Sequence, residues 1–168
     1  MRELRADEIE VRVAQCSQNG VSLLLYKDSR CDMRILDETF GVMGWRDSYQ
    51  GINGELFCTI EVWDSEKSQW IAKQSNGTPS NMEAEKGRAS DAFKRAGFML
   101  GIGRELYTAP FIWIPADKCN VKQGKNGRMQ CDDNFRCEKV RIEGGKITGL
   151  SIYNDTKGCR AYVFATDK

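Results

Sequence analysis

Lys86, Arg88, Lys94 and Arg95 fall in a stretch whose residues recur with helical spacing and form two basic edges beside its apolar face, and phosphate binding is the chemistry such edges suit. A lysine ammonium is a compact point charge, whereas an arginine guanidinium offers a planar fork of donors that matches a phosphate edge. Arg88 lies one heptad before Arg95 beside the apolar stripe, while Lys86, Ser90, Lys94, Gly97 and Gly101 share a second, small-residue flank. Small residues beside a lysine let a sugar-phosphate backbone come close, and arginine stems can lie on apolar surface with their heads turned outward. The same spacings also let Glu83, Glu85 and Asp91 pair with Lys86, Arg88, Lys94 and Arg95, which would make an ordinary solvated face.

Other chemistries lack their usual residues. The 168-residue chain has no histidine, the commonest general base, and neither a GxxxxGK[ST] phosphate loop nor a GxSxG elbow. Its seven cysteines form no CxxC pair, so free thiols are expected, with no metal, no cofactor and no catalytic residue. The acidic cluster a metal-dependent nuclease would use is Asp132, Asp133 and Glu138 with adjacent Lys139. Asp132-Asp133-Asn134 reads as a turn after a flexible loop, however, and not as carboxylates on a rigid strand pair. With 25 basic and 24 acidic residues the net charge is +1, so phosphate binding has to come from where the cations sit.

The elements that would hold these residues predict an α+β fold. Its core is an antiparallel three-stranded sheet covered by a long helix (β-β-β-α), with an N-terminal helical segment and a C-terminal β-meander. Hydrophobic residues at 40% and charged residues at 29% fit one globular domain over residues 1–168, its core at about 5–115 and a β extension at about 135–166. Ile9, Val13 and Cys16 have helical spacing within residues 6–16, and Met33, Leu36 and Phe40 mark one face of a second helix that Gly41 ends. Residues 45–49, 56–63 and 69–73 read as three strands; in the middle one Leu56, Cys58, Ile60 and Val62 face one way and Phe57, Thr59, Glu61 and Trp63 the other. Ser80 and Glu83 have the spacing of a capping box, and Ala89, Ala92, Phe93, Ala96, Met99 and Leu100 form the stripe of a sheet-covering helix. Further on come a short strand between Pro110 and Pro115, a polar loop over 118–134 with the basic segment 122–128, and strands at 139–142, 146–153 and 160–165.

The block Glu85-Lys-Gly-Arg-Ala-Ser-Asp-Ala-Phe-Lys-Arg-Ala96, followed by Gly101-Ile-Gly-Arg-Glu-Leu-Tyr107, resembles the single-strand annealing family typified by Rad fifty-two. Upstream, Tyr26, Leu36-Asp-Glu-Thr-Phe-Gly41 and Trp45 resemble that family's helix leading into its first strand, and the resemblance covers roughly residues 5–115. It implies a homo-oligomeric ring or filament whose basic groove holds single-stranded DNA by its backbone. The bases then face a complementary strand, and annealing proceeds without sequence specificity, ATP or metal. Lys94 and Arg95 match the family's basic helix pair that contacts phosphate. Arg30 lies near a family arginine that touches DNA, although the alignment there also fits Cys31. Lys73, Lys86, Arg88 and Arg104 join the candidates because they surround the same helix and strand edge.

Trp45, Tyr49, Phe57, Trp63 and Trp70 could stack on bases or fill a core or subunit interface, and the Gly97–Gly101 flank could seat a neighbouring subunit. No apolar segment reaches signal-peptide or membrane-spanning length, so a cytoplasmic protein of a bacterium or a phage-infected host is expected. A compact chain without a long C-terminal arm does not suggest recruitment of a recombinase. Alternatives are a passive single-strand binding protein, the nuclease above, and a structural or ribosome-associated α+β module without strand preference.

Overall fold

The computed structural model describes residues 1–78 and 84–166, with side chains of the helix that begins at Ala84 described from residue 87 onward. In chain order the elements are β1 (Glu10–Ser17), β2 (Gly20–Tyr26), α1 (Ser29–Phe40), β3 (Trp45–Ile52), β4 (Glu55–Asp64), β5 (Gln69–Gly77) and α2 (Ala84–Met99). There follow β6 (Ile112–Pro115), β7 (Lys122–Gln123), β8 (Met129–Gln130), β9 (Phe135–Glu143), β10 (Lys146–Asn154) and β11 (Cys159–Ala165). Contacts divide them between two compact units, one of Met1–Arg2 and Asp28–Gly103, the other of Glu3–Lys27 and Arg104–Lys168.

This architecture overturns the expected α+β fold built on a three-stranded sheet under a long helix. Strand accounts for 47% and helix for 23%, and the dominant feature is a six-stranded, nearly closed, barrel-like sheet in the order β11-β10-β9-β1-β2-β6. Residues 6–16, expected as a helix, instead form a short 3-10 turn, Ala6–Glu8, and then β1. Ile9, Val13 and Cys16 do have helical spacing, but Glu10, Val11, Arg12 and Val13 also alternate polar and β-branched, and pairing decides between the two periods. Val13 lies opposite Leu23 and Val11 opposite Leu25 on β2, so β1 is fixed by a neighbouring hairpin strand. The C-terminal meander supplies half of the six-stranded sheet, its β9 meeting β1 where Arg136 pairs with Glu10. Inside, Val21, Leu23, Ile112, Ile114, Ile147, Leu150 and Ile152 are buried, and the Tyr162 hydroxyl on β11 donates to the Phe111 carbonyl beside β6 across the narrow opening.

In the other unit, β3-β4-β5 form a smaller antiparallel sheet that carries α1 and α2. Asn53 and Gly54 connect β3 to β4 with φ of 52° and 80°, the positive-φ pair of a type I′ hairpin turn, and this sets the register from Ile52↔Glu55 through Trp45↔Val62. Cys58, Ile60 and Val62 on β4 are buried on the helix side. Phe93 of α2 is buried against them and meets Trp45 edge to face at 6.0 Å; removing a core ring of this size costs about 3–5 kcal/mol. In α1 the buried residues are Cys31, Asp32, Ile35 and Leu36, whereas Met33, expected on the packed face, is exposed. The helix starts at Asp28, whose carboxylate accepts from the backbone N–H groups of Arg30 and Cys31 at 2.6 and 3.2 Å. The expected capping box of Ser80 and Glu83 lies outside the described residues.

α2 reaches β5 at Gly77, where a Cβ would stand 2.1 Å from the Arg88 carbonyl oxygen and 2.8 Å from the Ala92 nitrogen. Both neighbours are helix backbone and cannot give way. Gly77→Ala is therefore expected to destabilise this unit by about 1–3 kcal/mol, the ordinary cost of overpacking. Urea denaturation followed by tryptophan fluorescence measures it, and an unchanged midpoint would remove Gly77 as the determinant of the helix position.

Candidate nucleic-acid interface

Lys94 and Arg95 lie in the C-terminal half of α2, which is held to the sheet by buried Ala92, Phe93 and Ala96 on the adjoining face. Arg95 is exposed and donates from Nε to Asp91 Oδ2 at 2.9 Å, one turn back. The same carboxylate oxygen accepts from the backbone N–H and the hydroxyl of Thr78, each at 3.0 Å. Partial burial alone would raise the Asp91 carboxyl, but these bonds from Thr78 and Arg95 outweigh it and hold it below the ordinary carboxylate range. Asp91 thus anchors Thr78 and orients Arg95 together. Lys94 is half-buried and has no hydrogen-bond or ion-pair partner among the described residues.

The small-residue flank of α2 faces α1. Ser90 donates its hydroxyl to Ser29 at 3.3 Å, and a Cβ on buried Gly97 would lie 2.6 Å from an oxygen of Asp32. At Gly97 this flank is therefore occupied by α1 and is not open to a neighbouring subunit or a DNA backbone. Lys94, four residues after Ser90 and three before Gly97, borders the α1–α2 seam, and Arg30 follows Ser29 on its other side. Arg30 is exposed and pairs with the capping Asp28 at 2.7 Å. Folding thus sets Lys94 and Arg30 on either side of the α1–α2 seam, with Arg95 on another flank of α2 beside Asp91.

The other sequence-derived candidates differ in setting. Arg88 points back to the β3–β4 turn, donating from Nη1 to the Gly54 carbonyl at 3.2 Å, while its buried Nε has no partner. Lys73 is exposed on β5 opposite Ile60, on the helix side of the sheet. The backbone of Lys86 belongs to the first turn of α2, and its side chain lies outside the described residues. Arg104 opens a 3-10 turn, Arg104–Thr108, in the other unit.

Register also sorts the aromatic residues. Trp45 and Tyr49 share the helix side of the sheet, where Trp45 donates from its indole to Asp37 at 2.7 Å. Burial and then the neighbouring Cys58 and Asp47 raise the Tyr49 hydroxyl, and burial pushes the Cys58 thiol up to about 11. Phe57, Trp63 and Trp70 face the other way. There Trp63 and Trp70, opposite each other in register, meet at 5.4 Å, and the Arg46 guanidinium lies 4.3 Å from the Trp70 ring while its Nε donates to Glu61 at 2.7 Å. Sequence reading had not singled out Arg46. The Asn53-Gly54 turn was the available signal, since counting back from it places Arg46 opposite Glu61.

The acidic residues of the nuclease reading do not converge. Asp133 accepts from the backbone and side-chain amides of Asn120 and from Asn154, at 2.8, 2.9 and 2.7 Å. Burial would raise its carboxyl, but these amides outweigh burial and lower it. Asp132 pairs with Lys122 at 2.5 Å, and Arg160 clamps Glu138 from Nε and Nη2 at 2.6 and 2.7 Å. Among the described residues no group of three or more acidic or thiol side chains is placed to hold a metal ion, and no helix is long and apolar enough to cross a membrane. The basic segment 122–128, expected as a loop, supplies β7 and the turn of the short β7–β8 hairpin, the turn closed by the Gly124 N–H donating to the Arg128 carbonyl at 2.8 Å. No family model, curated protein or solved structure matches the chain.

The Arg160 clamp holds the Glu138 carboxyl at about 2, against an ordinary 4.5. A depressed carboxyl contributes stability that is fully present above the ordinary value and is lost as pH falls from 4.5 through about 2. A carbon-detected NMR titration is expected to place the Glu138 midpoint near 2 and to return it toward 4.5 in Arg160→Ala. A wild-type midpoint already near 4.5 would mean the clamp does not hold in solution.

Proposed function

We propose that the chain binds single-stranded DNA through its phosphate backbone and anneals complementary strands in recombination and repair. It acts in the cytoplasm as a homo-oligomeric ring or filament and uses no ATP or metal. The observation that carries this reading is the placement of Lys94 and Arg95 side by side on α2, braced by sheet and α1, with Arg30 across the seam. The resemblance of residues 85–107 to the annealing family supports it from the sequence side. Lys94 brings a charge unshared among the described residues, and Arg95 brings a guanidinium whose plane Asp91 fixes, a combination suited to binding phosphate without reading bases.

Two complementary fluorescent oligonucleotides, paired in EDTA without nucleotide, test the proposal. The protein is expected to accelerate pairing, and the double variant Lys94→Ala, Arg95→Ala to lose that acceleration while keeping its fold. Each phosphate contact removed lowers the salt dependence of single-strand binding by about 0.7 in log–log slope, so the pair should lower it by about 1.4. An unchanged slope in a folded variant would reject these two residues. Binding without acceleration would leave a passive single-strand binder, and magnesium-dependent cleavage would revive the nuclease reading.

A further inference from the structure

The three-stranded sheet has two open edges. β3 and β5 each pair only with β4, and neither outer edge has a backbone partner among the described residues. Each strand runs eight or nine residues without a bulge, residues 46–51 of β3 are all exposed, and so are residues 72–74 of β5. Long straight edges of this kind are templates for another strand, and proteins usually blunt or cover them. β3 and β5 are both antiparallel to β4 and so run in the same direction.

We propose that β5 of one copy pairs with β3 of the next, in parallel and head to tail, so that the small sheets of successive chains join into one. This inference rests on the proposed ring or filament for its occupant, a second copy of the chain. Charge complementarity selects the pairing. Asp47 on β3 and Lys73 on β5 both lie opposite Ile60, on the same face of the sheet. When two such sheets meet without a shift, Lys73 of one copy stands beside Asp47 of the next, about one strand spacing of 4.8 Å away. Lys73 has no partner among the described residues, and Asp47 neighbours the Tyr49 hydroxyl and the Cys58 thiol, neither of them a cation.

The remaining positions agree with that register. Trp45 and Ile71 both lie opposite Val62, an apolar pair; Tyr49 and Ser75 both lie opposite Cys58, a hydroxyl pair. A slip of one residue would turn every side chain to the wrong face, and a slip of two would set Lys73 beside Trp45 or Tyr49. A two-fold pairing of β5 with β5, or of β3 with β3, centred on these residues brings like charges together. The head-to-tail pairing is heterologous, the kind of interface that generates rings and filaments.

The test is to measure assembly of the full chain by native mass spectrometry and light scattering for wild type, Lys73→Asp and Asp47→Lys, alone and mixed. Wild type is expected to assemble, and each variant alone to dissociate at least tenfold more readily because like charges meet at the seam. An equimolar mixture of the two variants is expected to recover assembly, because every seam between unlike chains then sets an acid against a lysine. A variant that had merely misfolded would not recover on mixing. A monomeric wild type, single variants that assemble like wild type, or a mixture that stays dissociated would each overturn the edge pairing. None of these results depends on strand annealing, so the edge pairing and the annealing reading can fail separately.

Discussion

The distance between α2 and β5 is set at Gly77, where the Arg88 carbonyl and the Ala92 nitrogen leave no room for a side chain. Alanines at 92 and 96 continue the close approach along the helix, and Phe93 fills the space beside them up to Trp45. Trp45 is tied in turn to α1 through Asp37, and α1 closes on the far flank of α2 through Asp32 against Gly97. Sheet, long helix and short helix therefore lock through small residues on two sides of α2. Because α2 cannot roll without breaking one of these contacts, the direction in which Lys94 and Arg95 project is a consequence of packing and needs no ligand to establish it.

With charges almost balanced over the whole chain, local arrangement decides what each acid and base can do. In the six-stranded unit the conspicuous acids are engaged with neighbours: Glu138 by Arg160, Asp132 by Lys122, Asp133 by the amides of Asn120 and Asn154. In the helical layer the pattern differs. Asp28 and Asp91 each touch one of the candidate arginines while also capping or anchoring backbone, so each carboxylate is shared between structure and guanidinium. Arg95 gives Asp91 a single nitrogen whereas Arg160 grips Glu138 with two, so Asp91 neutralises its arginine less completely.

Much of the smaller unit was legible in the sequence because its signals are local. The alternation of β4, the Asn53-Gly54 turn and the stripe of α2 each lie within a few residues of the contacts they specify. The six-stranded sheet was not legible. Residues 6–16 fit both a helical and a strand period, and what decided between them were partners on β2 and on β9 near the other end of the chain. The candidate site divides in the same way. Lys94 and Arg95 came together as a pair through the resemblance to the annealing family, since helical spacing sets them on two different edges, whereas the sorting of Trp45 and Tyr49 from Phe57, Trp63 and Trp70, and the stacking of Arg46 on Trp70, depend on strand register. The turning of Arg88 toward Gly54 depends on the position of a hairpin turn, which no helical wheel can show.

On the proposed reading, the modest charge of the site fits the task. An annealing protein has to hold one strand and release it once a duplex has formed, so very tight contacts would work against turnover. Arg95 has its Nε engaged by Asp91 and keeps its terminal nitrogens for phosphate, which limits the gain from any single contact while fixing its direction. Lys94 adds a charge unshared among the described residues, partly sheltered at the helix seam and therefore less screened than a fully exposed cation. Two or three such contacts per chain bind weakly by themselves. Repeated along a ring or filament they act in series on one strand, each bound chain raising the effective concentration of the next, so avidity supplies what the single site does not. Affinity built in this way is lost stepwise as bases pair, because no individual contact has to break against a large barrier.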